Sequence, residues 1–306
     1  MKRRSFLKVA GVATGGWVTG MGWNHAMGLN ELKRLESVLP VTPRMPALFL
    51  GHGSPMNAIE DNEFVEGFRR MGASLPLDPA VVLCVSAHWE TIGTKVTAMD
   101  LPETIHDFGG FPQALYEVQY PAQGHPRFAA ALAQDILSHH IETDHTWGLD
   151  HGTWSVIKHL YPKANIPVVQ LSLDRTSSPE AHWELGRQLG RLRERGVLIV
   201  GSGNVVHNLG KVAGSRMHEV DYSYDWARDA ADVIRGAILR GDDKALCEAP
   251  LSNRAALKLA IPTFEHYLPL LYVMGARTSE ESLQVFNDHA VAGSLYMTSV
   301  ALGVEG

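Results

Sequence analysis

Three histidines in this chain stand just beyond short apolar runs, an arrangement that suits a metal centre. His52 lies in Gly51-His52-Gly53-Ser54-Pro55 after Ala47–Leu50, and His88 in Ser86-Ala87-His88-Trp89-Glu90 after Ala80–Val85. His207 lies in Gly203-Asn204-Val205-Val206-His207-Asn208 after Val197–Val200. Ligands of open α/β sheets gather where the carboxyl ends of strands emerge, so parallel strands here would bring the three imidazoles to one rim. The small residues around them let the backbone approach a ligand closely. A lone imidazole at such a place is more often a hydrogen-bonded structural residue, whereas three in register point to a shared ion. Two further places qualify. Glu265-His266, just ahead of the apolar stretch Leu270–Met274, sets a carboxylate beside an imidazole at a helix entry, where either could complete the site. His151 follows Asp150 and precedes Gly152, a setting for proton transfer or for a hydrogen bond to a bound oxyanion. Imidazoles with at most one carboxylate suit Fe(II) or Zn(II) rather than Mg(II) or Ca(II). Catalysis at such an ion also needs coordination positions left open.

The other histidines make weaker cases. His139, His140, His159 and His182 fall in helical patterns and His218 and His289 in apparent loops, which marks them as surface or packing residues. His106 and His125 could line the mouth of a pocket.

The elements that must carry these residues are legible as apolar runs. Ala47–Leu50, Ala80–Val85, Ile166–Leu173 and Val197–Val200 read as buried strands. Between and after them, Pro126–His139, Pro179–Arg195 and Asp221–Arg240 show helical spacing, the last two ending at Gly196 and Gly241. Continuous apolar strands alternating with helices predict an α/β fold, a mainly parallel central sheet with helices on both faces. No repeat or low-complexity linker interrupts the chain after the leader, so residues 31–306 read as one catalytic domain. A chain of 306 residues, 45% hydrophobic, is long enough to bury a large core.

Composition narrows the chemistry. The net charge is −6, and the leader contributes only basic residues (Lys2, Arg3, Arg4, Lys8), so the remainder is more acidic still. That argues against a nucleic-acid partner. Cys84 and Cys247 form neither a CxxC pair nor a disulfide framework, so a metal must rest on histidines and carboxylates. Gly201-Ser202-Gly203 lacks the remainder of a dinucleotide fingerprint, and no phosphate loop or GxSxG elbow occurs.

Residues 1–30 have a different character. Arg3-Arg4 followed by Phe6-Leu7-Lys8 and the weakly apolar, glycine-rich stretch Val9–Trp23 looks like a twin-arginine export signal. The stretch falls short of the roughly 18 residues expected of a spanning helix, so no permanent membrane span is expected. The twin-arginine export machinery would then be a partner and the periplasm the destination, with the cytoplasm as the alternative. Lys2 stands where such signals usually carry Ser or Thr.

Several long motifs, in order, carry a resemblance. Arg44–Met56 around Gly51-His52-Gly53, Ser86–Trp89, Ile105-His106-Asp107-Phe108-Gly109-Gly110-Phe111-Pro112, Asp150-His151-Gly152, Gly203–Leu209 and Glu265–Leu271 together resemble the class III extradiol ring-cleavage dioxygenases, in the 4,5-DOPA dioxygenase extradiol branch. The likeness runs from about residue 44 to the C-terminus. It implies one Fe(II) or Zn(II) ion held by His52, His88 and His266, with His207 as a fourth ligand or as the base. Glu265 stays open against His266, because the wider family uses two histidines and one carboxylate. His151 is similar to the family's second pocket histidine. The implied substrates are a small aromatic diol such as DOPA and O2, with Trp89, Phe108, Phe111 and Tyr267 as candidate walls. Two rivals remain at this stage: a zinc-dependent hydrolase using the same residues, and a non-catalytic metal- or ligand-binding relative.

Overall fold

Ten strands organise the molecule in the computed structural model, which describes residues 33–304 apart from Leu137, Ser138, His218 and Val220. The leader and His218 therefore lie outside the described residues. In chain order the strands are β1 (Ala47–Gly51), β2 (Val81–Thr91), β3 (Thr94–Thr97), β4 (Ile141–Asp144), β5 (Val168–Asp174), β6 (Val197–Gly203), β7 (Leu283–Phe286), β8 (Ala290–Val291), β9 (Leu295–Tyr296) and β10 (Ser299–Leu302). Eight form one sheet in the order β4-β3-β5-β2-β6-β1-β10-β7, and β8 and β9 pair separately.

The four apolar runs become the centre of that sheet. β5, β2, β6 and β1 are mutually parallel, as expected of strands buried on both faces. Alternate residues serve opposite layers. Ala47, Phe49, Leu83, Val85 and Ile199 join the core beneath helices Pro126–Asp135, Pro179–Leu189, Asp225–Arg240 and Leu268–Gly275. Leu48, Leu50, Val82, Cys84 and Val200 join the core beneath Glu63–Ser74 and His151–Leu160. Burying each such side chain contributes about 1.5–3 kcal/mol, so the continuous apolar runs take the middle of the sheet.

The edges depart from a purely parallel pattern. β10 runs antiparallel to β1, β7 antiparallel to β10, and β3 antiparallel to β5. These strands are short and their sequences mix polar with apolar residues, which fits positions at or near the sheet margin. Three helix bounds also shift. The first expected helix stops at Asp135, the second passes into a 3-10 turn at Gly190–Arg195, and the third starts at Asp225. None of the helices formed by the described residues is long and apolar enough to cross a membrane.

Candidate metal centre

His52 leaves the end of β1 directly, and its peptide N–H donates to the Gly203 carbonyl at the end of parallel β6. Asn57 turns back and donates from Nδ2 to the His52 carbonyl at 2.9 Å, fixing the loop. His88 stands inside a strand, a correction to the sequence reading: β2 continues to Thr91, with a register shift between Val85 and Glu90 that turns this part of the strand. His207 lies four residues beyond β6, where its N–H donates to the Ala260 carbonyl. His266 sits in the turn ahead of helix Leu268–Gly275. His151 opens helix His151–Leu160, capped by Asp150, whose carboxylate accepts from the Thr153 N–H.

All five imidazoles converge. His52, His88 and His151 each offer a ring nitrogen within 4.8 Å of the others, and so do the ligand atoms of His207, Glu265 and His266. Two glycines permit the crowding. A Cβ on Gly152 would lie 2.7 Å from the His88 ring, and one on Gly203 would lie 2.1 Å from the His266 carbonyl oxygen.

The ring spacings separate two kinds of neighbour. Imidazoles that share one ion, bound at about 2.0–2.2 Å with ligand angles of roughly 90–109°, have centroids about 4.4–5.4 Å apart. The His52–His88, His52–His266 and His88–His266 centroids are 5.0, 5.3 and 5.0 Å apart. The remaining close pairs are tighter: His88 and His151 at 3.9 Å, and His207 parallel to His266 at 3.5 Å. His52 Nε2 and His88 Nε2 are 3.2 Å apart, close to the edge of a coordination polyhedron of that size.

Partners at Nδ1 leave Nε2 of these three rings for a ligand. Ser202 Oγ donates to the Gly152 carbonyl at 2.5 Å, so its contact with His52 Nδ1 at 2.9 Å takes the proton from the ring. His266 Nδ1 donates to Glu265 Oε1 at 3.1 Å. Asp107 Oδ2 lies 3.5 Å from His88 Nδ1. Such outer partners set the tautomer and aim of metal-binding imidazoles. Burial, reinforced by the neighbouring histidines, holds His52 and His88 well below the usual imidazole range, in the neutral form that binds metal. Burial alone would raise the Glu265 carboxyl, but hydrogen bonds from His266 and Thr263 bring it down to about 2. Glu265 is thus an ionised partner of His266.

The surroundings sort the remaining candidates. Phe108 lies edge-on to His151 with centroids 5.6 Å apart, and Phe111 lies 5.4 Å from Phe108. Both are half-buried. Tyr267 is not a wall: it is buried in the core and its hydroxyl donates to the Leu246 carbonyl. Trp89 is also buried, stacked on Trp147 at 5.7 Å. His106 contacts the Val118 carbonyl through Nε2, and His125 caps the helix that starts at Pro126. His159 and His182 are packing residues bound to the Asn57 carbonyl and the Tyr272 hydroxyl, and half-buried His289 pairs with Asp221.

Sequence reasoning missed the polar scaffold behind the histidines. Ser86 Oγ donates to Asp150 Oδ1 at 2.7 Å, Gln170 Nε2 donates to Asp150 Oδ2, and Thr153 Oγ1 donates to Gln170. Ser86, Gln170 and Ser202 are fully buried in otherwise apolar strands, and that anomaly is the signal that could have found them.

Residues 46–227 match the family described as the catalytic LigB subunit of aromatic ring-opening dioxygenase. The chain belongs to this family. Among its relatives, the 4,5-DOPA dioxygenase extradiol of Escherichia coli (strain K12) is 44% identical over 274 residues, 88% of this chain and 98% of that protein. The protein of the same name from Beta vulgaris is 35% identical over 252 residues, 78% of this chain and 90% of its own. A crystal structure of an uncharacterized Escherichia coli K12 protein matches with a TM-score of 0.73 and 39% identity. It covers 85% of this chain and 100% of that one. Like its relatives in the ring-opening dioxygenase family, this chain is a metal-binding extradiol dioxygenase with a mostly parallel α/β fold.

Proposed function

We propose that the protein opens the ring of a catechol with O2 at one metal ion held by Nε2 of His52, His88 and His266. The observation that carries this reading is the set of three centroid spacings of 5.0–5.3 Å, which match imidazoles sharing an ion. Iron(II) is the metal we favour. It suits imidazole ligands with open positions and, when bound, supplies the redox chemistry of ring opening.

The chain's own residues supply the rest. Burial and the adjacent His266 bring His207 down to about 3, which keeps its ring neutral near pH 7, and its place stacked on His266 is what offers it a catechol proton. Among the described residues no hydrogen bond fixes this ring, which suits proton transfer better than ligation. His151 stands across the site beside His88 and can hydrogen-bond an anionic oxygen. Phe108 and Phe111 offer an apolar wall to the substrate ring. DOPA is the catechol named for the relatives and the first to try.

The test is anaerobic Fe(II) loading followed by an oxygen-electrode and absorbance screen across catechols. Oxygen uptake with a new chromophore is expected, and its loss on chelation should reverse when Fe(II) returns. A fully metallated protein that consumes no oxygen with any catechol would refute the reading.

We also propose that the twin-arginine segment directs export to the periplasm. Support comes from Arg3-Arg4 with Phe6-Leu7-Lys8 and the weakly apolar stretch Val9–Trp23. Cell fractionation should recover the protein in the periplasm and Arg3→Lys/Arg4→Lys protein in the cytoplasm. An unchanged distribution would contradict the proposal.

A further inference from the structure

We infer that Asp107 is a positioning residue that couples the metal site to the substrate pocket, by holding His88 and His151 with one carboxylate. The inference rests on the proposed metal centre. Asp107 Oδ1 accepts from the His151 peptide N–H at 2.8 Å, and the buried His151 Nδ1 lies 3.0 Å from the same oxygen without a hydrogen bond. Oδ2 faces His88 Nδ1 at 3.5 Å. The two rings are only 3.9 Å apart between centroids, so neither can turn without displacing the other.

The loop that carries Asp107 is anchored independently of the histidines. The Ile105 N–H donates to the Leu149 carbonyl at 2.7 Å, Trp154 Nε1 donates to the Ile105 carbonyl at 2.8 Å, and His106 Nε2 contacts the Val118 carbonyl at 3.0 Å. The carboxylate is therefore delivered by a fixed backbone, and the next residue, Phe108, forms the wall against His151. Burial would raise the Asp107 carboxyl, but its contacts with His151 outweigh that and keep it below the ordinary value.

The chemistry requires a group that accepts at both oxygens. A carboxylate accepts from the His151 peptide N–H at one oxygen and favours the proton on Nδ1 of His88 at the other, leaving the Nε2 lone pair of His88 beside His52. An amide of the same shape would turn a donor either toward the His151 peptide N–H, breaking that bond, or toward His88. In the second case His88 would have to reverse its tautomer, which removes its lone pair from the metal side.

The experiment measures Zn(II) affinity by competition with a chromophoric chelator, for parent, Asp107→Asn and His151→Ala proteins, with near-UV circular dichroism of each apo form. Asp107→Asn should bind Zn(II) about 10–100-fold more weakly with an unchanged apo spectrum. His151→Ala should keep the parental affinity. Asp107→Asn loaded with Fe(II) to saturation should still lose kcat for catechol, because His151 is no longer held. Parental Zn(II) affinity in Asp107→Asn would overturn this inference alone. A lost apo spectrum would overturn it in favour of a packing role. A parent protein that binds no Zn(II) would overturn the metal-centre reading as well.

Discussion

His52→Ala protein is expected to emerge folded but without bound metal and without ring-opening activity. His52 sits at the hub of the cluster, its ring 5.0–5.3 Å from those of His88 and His266, and it is almost wholly buried. Losing an outer-shell partner of a metal ligand typically weakens binding about 10–100-fold, so losing a ligand should exceed that range. The fold should tolerate the change. The ring lies beyond the end of β1 and is bound at Nδ1 to Ser202, which keeps the Gly152 carbonyl as a partner when the imidazole is gone. Metal content by atomic absorption, read beside the thermal melt, checks this. Parental metal content in His52→Ala protein would show that the ion lies elsewhere.

His207→Ala should behave differently, keeping its metal and losing turnover. Its ring stacks on His266 at 3.5 Å, too close and too parallel for both to aim at one ion in the way His52, His88 and His266 do. A positioned acid or base contributes about 10²–10⁴-fold, so kcat should fall by that factor while the metal stays bound. Steady-state kinetics on protein of known metal content separates the outcomes. Parental kcat would remove His207 from proton transfer, and loss of the metal would make it a ligand.

How far the sequence foretold this site depended on how each residue is held. His52 and His207 were legible because they follow apolar runs long enough to be recognised as central strands. His88 was found for a partly mistaken reason, since β2 carries it within the strand and the register shift that turns this part of the strand leaves no mark in composition. Asp107 belonged to a motif, but its partners His88 and His151 lie far away in the chain, so its role depended on tertiary contacts. Tyr267 looked like a pocket aromatic because it adjoins His266, yet the helix beginning at Leu268 turns it into the core. The antiparallel strands β10 and β7, the last two at one side of the sheet, escaped notice because four-residue stretches of mixed polarity carry no distinctive period.

The most direct test of the central claim is the fate of ¹⁸O2 in a single turnover of Fe(II)-loaded protein with a catechol. A dioxygenase built on these three imidazoles should give a ring-opened product in which both new oxygen atoms carry the label. Product formed without oxygen uptake, or with its new oxygen drawn from water, would contradict the account.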